Sequence, residues 1–364
     1  MAVESAGERF QTLHEFIAVA HSNLTRNIWD YLVGGTETET TLARNRQALD
    51  SLALRPRVLC DVADIDLSVT LLGKRLRIPV LCAPVGSLEV FEANGAATVA
   101  AAADSFGIGM LLSSVSQPGL EATAAAGGDA LKIFQLYVRG DSAWVDDYFR
   151  RAIDAGYDAL CLTVDSAYYS RRERDLAKRF FRWRGAMEGR TYQPRVTWRD
   201  VDRYKSKFKL PLVLKGIASA EDAALAIEHG VEIVYVSNHG GRQLDHGQGT
   251  MEILPEVVAA VGGRARIVVD GGISRGTDIV KALALGADAV GIGRLYVYGL
   301  AAAGAGGVVR VLELLEEELR LAMGLLGVTR PAALTPAYLR AASPTTAPGV
   351  HSAFPLLTLP PWRY

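Results

Sequence analysis

The sequence is poor in cysteine, with three in 364 residues, and poor in histidine, with six. Cys60, Cys82 and Cys161 are scattered and odd in number, which argues against a disulfide framework or a zinc site. All three lie in apolar runs and read as reduced packing thiols, so a reducing, cytoplasmic setting is expected and no metal. Net charge is also lacking: 39 Lys and Arg against 40 Asp and Glu give −1, without the basic surplus that marks a nucleic-acid partner. No basic start leads into an apolar core at the N-terminus, so no secretory signal is expected. The most apolar long window, 295–309, is glycine-rich and ends at Arg310, so no membrane span is expected either.

What is present is the composition of a folded globule, 49% hydrophobic and 22% charged, too apolar to remain disordered. From residue 79 onward, short apolar runs alternate with longer segments of helical period. The runs are 79–83, 109–113, 131–137, 159–164, 212–215, 233–237, 267–270 and 289–292. They are near-continuous in Val, Ile and Leu, as expected of parallel strands covered on both faces. Helices are expected at 94–106, 120–126, 143–155, 220–229, 251–261, 276–285 and 308–325. Eight βα units favour a closed (β/α)8 TIM barrel over an open sheet.

Two regions fall outside the repeat, within what reads as one domain over 1–364. Residues 1–78 form an N-terminal appendage, with amphipathic stretches at 12–31 and 39–48. Alternation around 66–77 suggests a hairpin closing the barrel bottom. The second region, 166–210, is too long for an ordinary connection and reads as a lid insertion after the fourth strand. Its run 171–190 holds eight Lys or Arg interleaved with Phe180, Phe181 and Trp183, and reads as a solvated helix and lid rather than a surface for an anionic partner. Residues 79–330 are the barrel and 331–364 a C-terminal tail.

Barrel active sites lie at the C-terminal ends of the strands, and here those ends are polar: Gln135-Leu136-Tyr137, Thr163-Val164-Asp165, Lys215-Gly216, Ser237-Asn238-His239-Gly240-Gly241-Arg242, Asp270-Gly271-Gly272 and Gly291-Ile292-Gly293-Arg294. The last two, with Ser274 and Arg275, supply glycines, a hydroxyl and arginines after the seventh and eighth strands, where barrels bind phosphate. A phosphorylated ligand follows. His239 and Arg242 share a loop, placing a base of ordinary pKa near 6.5 beside a fork that matches a carboxylate. Asp165 is placed to orient the imidazole. The pattern indicates proton abstraction from a carboxylate-bearing substrate.

These residues resemble the FMN-dependent 2-hydroxy-acid oxidases and dehydrogenases, the group of glycolate oxidase, lactate oxidase and mandelate dehydrogenase. The likeness runs from Trp29-Asp30-Tyr31 through Arg55-Pro56-Arg57, Ala83-Pro84 and Arg171-Arg172-Glu173 to Gly293-Arg294, and is most specific at Ser237–Asp245, Ser-Asn-His-Gly-Gly-Arg-Gln-Leu-Asp. It implies FMN as cofactor, His239 as base with Asp165, Arg172 and Arg242 as carboxylate clamp, and Tyr31 and Tyr137 as hydrogen-bond donors. It also implies Lys215, Ser113, Gln135 and Thr163 along the flavin's pyrimidine edge, with Pro84, Val85 and Gly86 behind the ring. Ser237, Asp270, Gly271, Gly272, Ser274, Gly293 and Arg294 would complete the cofactor site. The implied partners are a small 2-hydroxy acid and O2 or another electron carrier, in a homo-oligomer, a tetramer by resemblance.

Four positions, in three places, depart from the family pattern. Ala167 and Ser170 replace proline and glycine around Tyr168-Tyr169. Ser274 stands where many members have arginine, leaving Arg275 and Arg294 as candidate phosphate partners. Val115 replaces a bulky aromatic of glycolate-specific members, so with Gly86 it predicts room for medium or aromatic 2-hydroxy acids. A flavin-dependent isomerase on the same barrel, or a flavin-binding protein without turnover, are the alternative readings.

Overall fold

A computed structural model describes residues 6–180 and 191–360. Eight parallel strands close a barrel: Val80–Cys82, Gly109–Ser113, Lys132–Leu136, Ala159–Thr163, Leu212–Ile217, Ile233–Val236, Arg266–Val269 and Ala289–Ile292. The eighth pairs with the first, Val290 opposite Val80. These are the eight expected runs to within two residues, and this is the (β/α)8 TIM barrel.

Alternation along each strand explains where the polar residues go. The barrel interior holds Leu81, Leu111, Ile133, Ala159, Cys161, Val213, Ile233, Tyr235, Val268 and Ala289. Stepping two residues toward the C-terminus from these gives Ser113, Gln135, Thr163, Lys215, Ser237, Asp270 and Gly291. The period of two therefore delivers a polar layer to the top of the barrel above an apolar plug. At the bottom, the hairpin Val69–Leu71 with Lys74–Leu76 forms as expected, and Leu71 and Leu76 join the interior cluster. Lys74 Nζ donates to the Asp129 and Ala130 carbonyls ahead of the third strand, tying the hairpin to that end.

Elsewhere the boundaries differ for local reasons. The stretch 12–31 is two helices, Leu13–Asn23 and Arg26–Val33, because Thr25 starts a new helix by accepting from the Ile28 amide. A further helix spans Thr40–Asp50. The last long helix runs Arg294–Leu326, far beyond 308–325, with a break at Ala303–Gly304. By length and composition it could cross a membrane, but 67% of its most apolar window is buried inside the fold, so its apolarity serves packing. Leu52–Leu54 pairs with Leu339–Ala341, a sheet with no sequence signal. Cys82 and Cys161 are buried, but Cys60 is exposed, which corrects its reading as a packing thiol. In the insertion, Glu173–Ala177 and Trp198–Lys207 are helical; Phe181, Trp183, Arg182, Arg184 and Arg190 lie outside the described residues.

Candidate active site

The fourth and sixth strands place Asp165 and His239 side by side on the barrel rim, with Asp165 Oδ1 2.9 Å from His239 Nδ1. Gly216, at an irregularity near the end of the fifth strand, permits the approach: its φ is +114°, and a Cβ there would lie 2.6 Å from that of Asp165. With Nδ1–H assigned to Asp165 by this contact, Nε2 faces the cleft, 3.2 Å from the Tyr137 hydroxyl. Burial, with help from Lys215 and Arg172, pulls the imidazole below its ordinary value despite Asp165. Burial would raise Asp165, but its contact with His239 and the charge of Lys215 hold its carboxyl below the usual range. At neutral pH this is a neutral imidazole on an oriented carboxylate, the arrangement of a general base.

Two guanidinium groups share that cleft. Arg242 stacks over Tyr31, 5.1 Å from its ring centre, and donates to the Gly34 carbonyl at 2.7 Å. Arg172 lies 4.7 Å over Tyr169, and its Nε has no hydrogen-bond partner. Among the described residues neither forms a salt bridge. Burial, Arg172 and Arg294 together lower the pKa of Arg242. Asp175, buried behind them, is itself raised by burial against the pull of Arg242 and Arg172. A cationic wall with no ion-paired carboxylate is a receptor for a small anion.

The polar layer at the strand ends suits the polar edge of a bound ligand. Lys215 is 4% exposed and donates to Ser237 Oγ at 2.8 Å, which donates to Asp270 Oδ1 at 2.6 Å. Burial would lower Lys215, but Asp270 and Asp165 outweigh it and keep the ammonium charged. Both amide atoms of Gln135 and the Thr163 hydroxyl are buried without a partner, as expected of groups awaiting a ligand's polar edge. Pro84, Val85, Gly86, Gly271, Gly272, Ser274, Gly293 and Arg294 line the cleft, whereas Ser113 is buried beneath it. Arg294 donates to the carbonyls of Leu32, Gly34 and Gly240, using three of its five N–H donors. Arg275 is no phosphate partner: it pairs with Glu318 at 2.7 Å and does not line the cleft.

The N-terminal segment walls the site rather than merely adjoining it. Asn45 and Asn238 exchange amide hydrogen bonds of 2.9 and 2.7 Å, and the glycines of Asp270-Gly271-Gly272 pack on Asn45. Beyond the barrel, Gly349 and Val350 reach the cleft, and His351 bonds Tyr298 at 3.0 Å and stacks on Trp29. Sequence reasoning missed Asn45 and the tail. Only the Asn-Arg pair at 45–46, in an otherwise surface-like helix, hinted at the first.

Barrel, base and cationic wall define a class: enzymes that act on a small anionic molecule beside a phosphate-bearing cofactor. The chain belongs to the FMN-dependent dehydrogenase family, whose profile matches residues 20–341; it is an oxidoreductase that uses FMN. It is 41% identical to an L-lactate oxidase of Nostoc sp. over 345 residues, 87% of this chain and 94% of that one. It is 42% identical to a peroxisomal (S)-2-hydroxy-acid oxidase of Oryza sativa subsp. japonica over 336 residues, 86% of this chain and 92% of the relative. Among solved structures, mandelate oxidase superposes with a TM-score of 0.86 at 39% identity, covering 93% of this chain and 100% of that one.

Proposed function

We propose that this protein oxidises a 2-hydroxy acid to the 2-oxo acid, with O2 or another carrier as final acceptor. The observation that carries this is the His239–Asp165 couple facing the same cleft as Arg172 and Arg242. The two arginines hold the carboxylate, and Tyr31 and Tyr137 donate to carboxylate and hydroxyl; such fixing can be worth several kcal/mol of barrier. His239 Nε2 then accepts the substrate's proton while Asp165 stabilises the imidazolium. FMN, when bound, takes the two electrons. Lys215, Ser113, Gln135 and Thr163 would hold its pyrimidine edge, and Pro84, Val85 and Gly86 would back the ring. Ser237, Asp270, Gly271, Gly272, Ser274, Gly293 and Arg294 would complete its site.

Medium or aromatic 2-hydroxy acids are the proposed substrates, ahead of glycolate. Supporting this, the cleft is lined at that point by Gly86 and Val115, neither of them bulky, and Tyr168 is 81% exposed instead of filling the space. One domain over 1–364 is proposed, with an N-terminal appendage 1–78, a barrel 79–330, a lid insertion 166–210 and a C-terminal tail 331–364. A cytoplasmic setting is inferred from the free thiols, and a homotetramer from family resemblance. Anaerobic titration with glycolate, lactate, 2-hydroxyoctanoate and mandelate tests the activity: the flavin absorbance should bleach, and kcat/KM should be lowest for glycolate. No bleaching by any of the four would overturn the activity, and glycolate performing best would overturn the substrate class alone.

A further inference from the structure

Among the described residues, Tyr235 is the only aromatic in the interior barrel cluster. It is fully buried, and its hydroxyl makes no hydrogen bond of good geometry, although the Asp270 carboxylate is near enough to act on it. Leaving a phenol so placed is unfavourable, yet the fold makes room for it: a Cβ on Gly291 would stand 1.9 Å from the phenol oxygen. The residue sits opposite Lys215 on the neighbouring strand, with the ammonium 5.2 Å from its ring centre. Asp270 is close by as well, since that same Cβ on Gly291 would be 3.3 Å from the Asp270 Cβ. Burial first, and then the Asp270 carboxylate, keep the phenol protonated, so it can only donate to that carboxylate.

Lys215 has divided obligations. One N–H goes to Ser237 Oγ at 2.8 Å, and the charge is held 3.3 Å from Asp270 Oδ2. Any demand for its charge from the cleft has to compete with Asp270. We propose that Tyr235 is a positioning residue acting through Lys215: its ring holds the ammonium in place, and its hydroxyl serves as a reserve donor to Asp270, so that Lys215 can turn its charge toward a reduced flavin. This rests on Lys215 lying at the flavin's pyrimidine edge. No proton leaves the set; one hydrogen bond to Asp270 replaces another.

The test uses the holoenzyme and two readouts besides turnover: the two-electron midpoint potential of bound FMN, and the dissociation constant for sulfite, whose flavin adduct also carries negative charge. Tyr235→Phe removes only the hydroxyl and should keep the fold. Without it Asp270 retains Lys215, so reduced FMN should be held about tenfold less tightly relative to oxidised FMN, a potential about 30 mV more negative. Sulfite should bind about tenfold more weakly, while affinity for oxidised FMN and the melting temperature should stay near wild type. In a Lys215→Met background the same substitution should move neither readout. Unchanged potential and sulfite affinity in Tyr235→Phe, or a shift that persists without Lys215, would overturn the proposal. If Lys215→Met by itself left the potential unmoved, the placement of Lys215 would fall too; if it moved and Tyr235→Phe did not, only the role of Tyr235 would fall.

Discussion

His239 holds a φ of +60°, a conformation that costs a non-glycine residue about 1 kcal/mol or more. The Ser237 hydroxyl accepts its amide at 3.0 Å and Asp165 fixes its ring, so the strain is borne at the residue that faces the cleft. His239→Gln should keep FMN bound but slow anaerobic flavin reduction by about 10²–10⁴-fold; a loss below tenfold would remove it as the base. Its pKa lies below 6.5 because burial opposes the charged form. A base must be unprotonated, so kcat/KM should be at its plateau at pH 7 and fall with acidification through an apparent pKa below 6.5. Arg242 and Arg172 make a second prediction. Guanidinium groups keep their protons, so their mutual repulsion is relieved by binding an anion. Arg242→Lys should raise KM and lower kcat together, since an ammonium lacks the fork, and a substrate methyl ester should react poorly with wild type. Equal turnover of ester and acid would contradict the clamp.

Among the elements, the strands are readable because burial on both faces leaves an unmistakable apolar run, and because one parity of most runs ends in polar residues. His239, Asp165, Lys215 and Asp270 were therefore found from strand ends alone. The helical stretch 12–31 hid its break, since Thr25 caps a helix only through one amide contact. The tail was illegible for a different reason: Gly349 and Val350 have no period, and their place in the cleft depends on His351 meeting Trp29 and Tyr298. Arg275 was misassigned because a sequence does not reveal that Glu318, on a helix 43 residues away, claims it. Docking of helix Thr40–Asp50 on the sixth-strand loop hinges on Gly241, whose φ is +72° and where a Cβ would stand 2.5 Å from the Leu42 backbone. Gly241→Ala should destabilise the protein by at least about 1 kcal/mol from the backbone conformation alone, read as a lower urea midpoint, and should loosen FMN because Asn45 and Tyr31 belong to that N-terminal wall.

Over the whole molecule, the cleft is assembled from residues as far apart as Tyr31 and Val350, and its two ends are unlike. The lower end of the barrel is stoppered by Leu71 and Leu76 from the hairpin, beneath a filled interior. That stopper closes the lower end, so among the described residues the upper end is the doorway for traffic in both directions. On the proposed reaction, the organic acid, its oxidised product and whatever removes the electrons share the cleft lined there by Tyr168, Tyr169 and Arg172, and they are expected to take turns. Steady-state rates at several concentrations of both reactants should accordingly give parallel double-reciprocal lines, with excess organic acid slowing the enzyme by standing in the doorway after its electrons have been delivered. Intersecting lines would mean that the acceptor reaches the flavin while the doorway is still occupied.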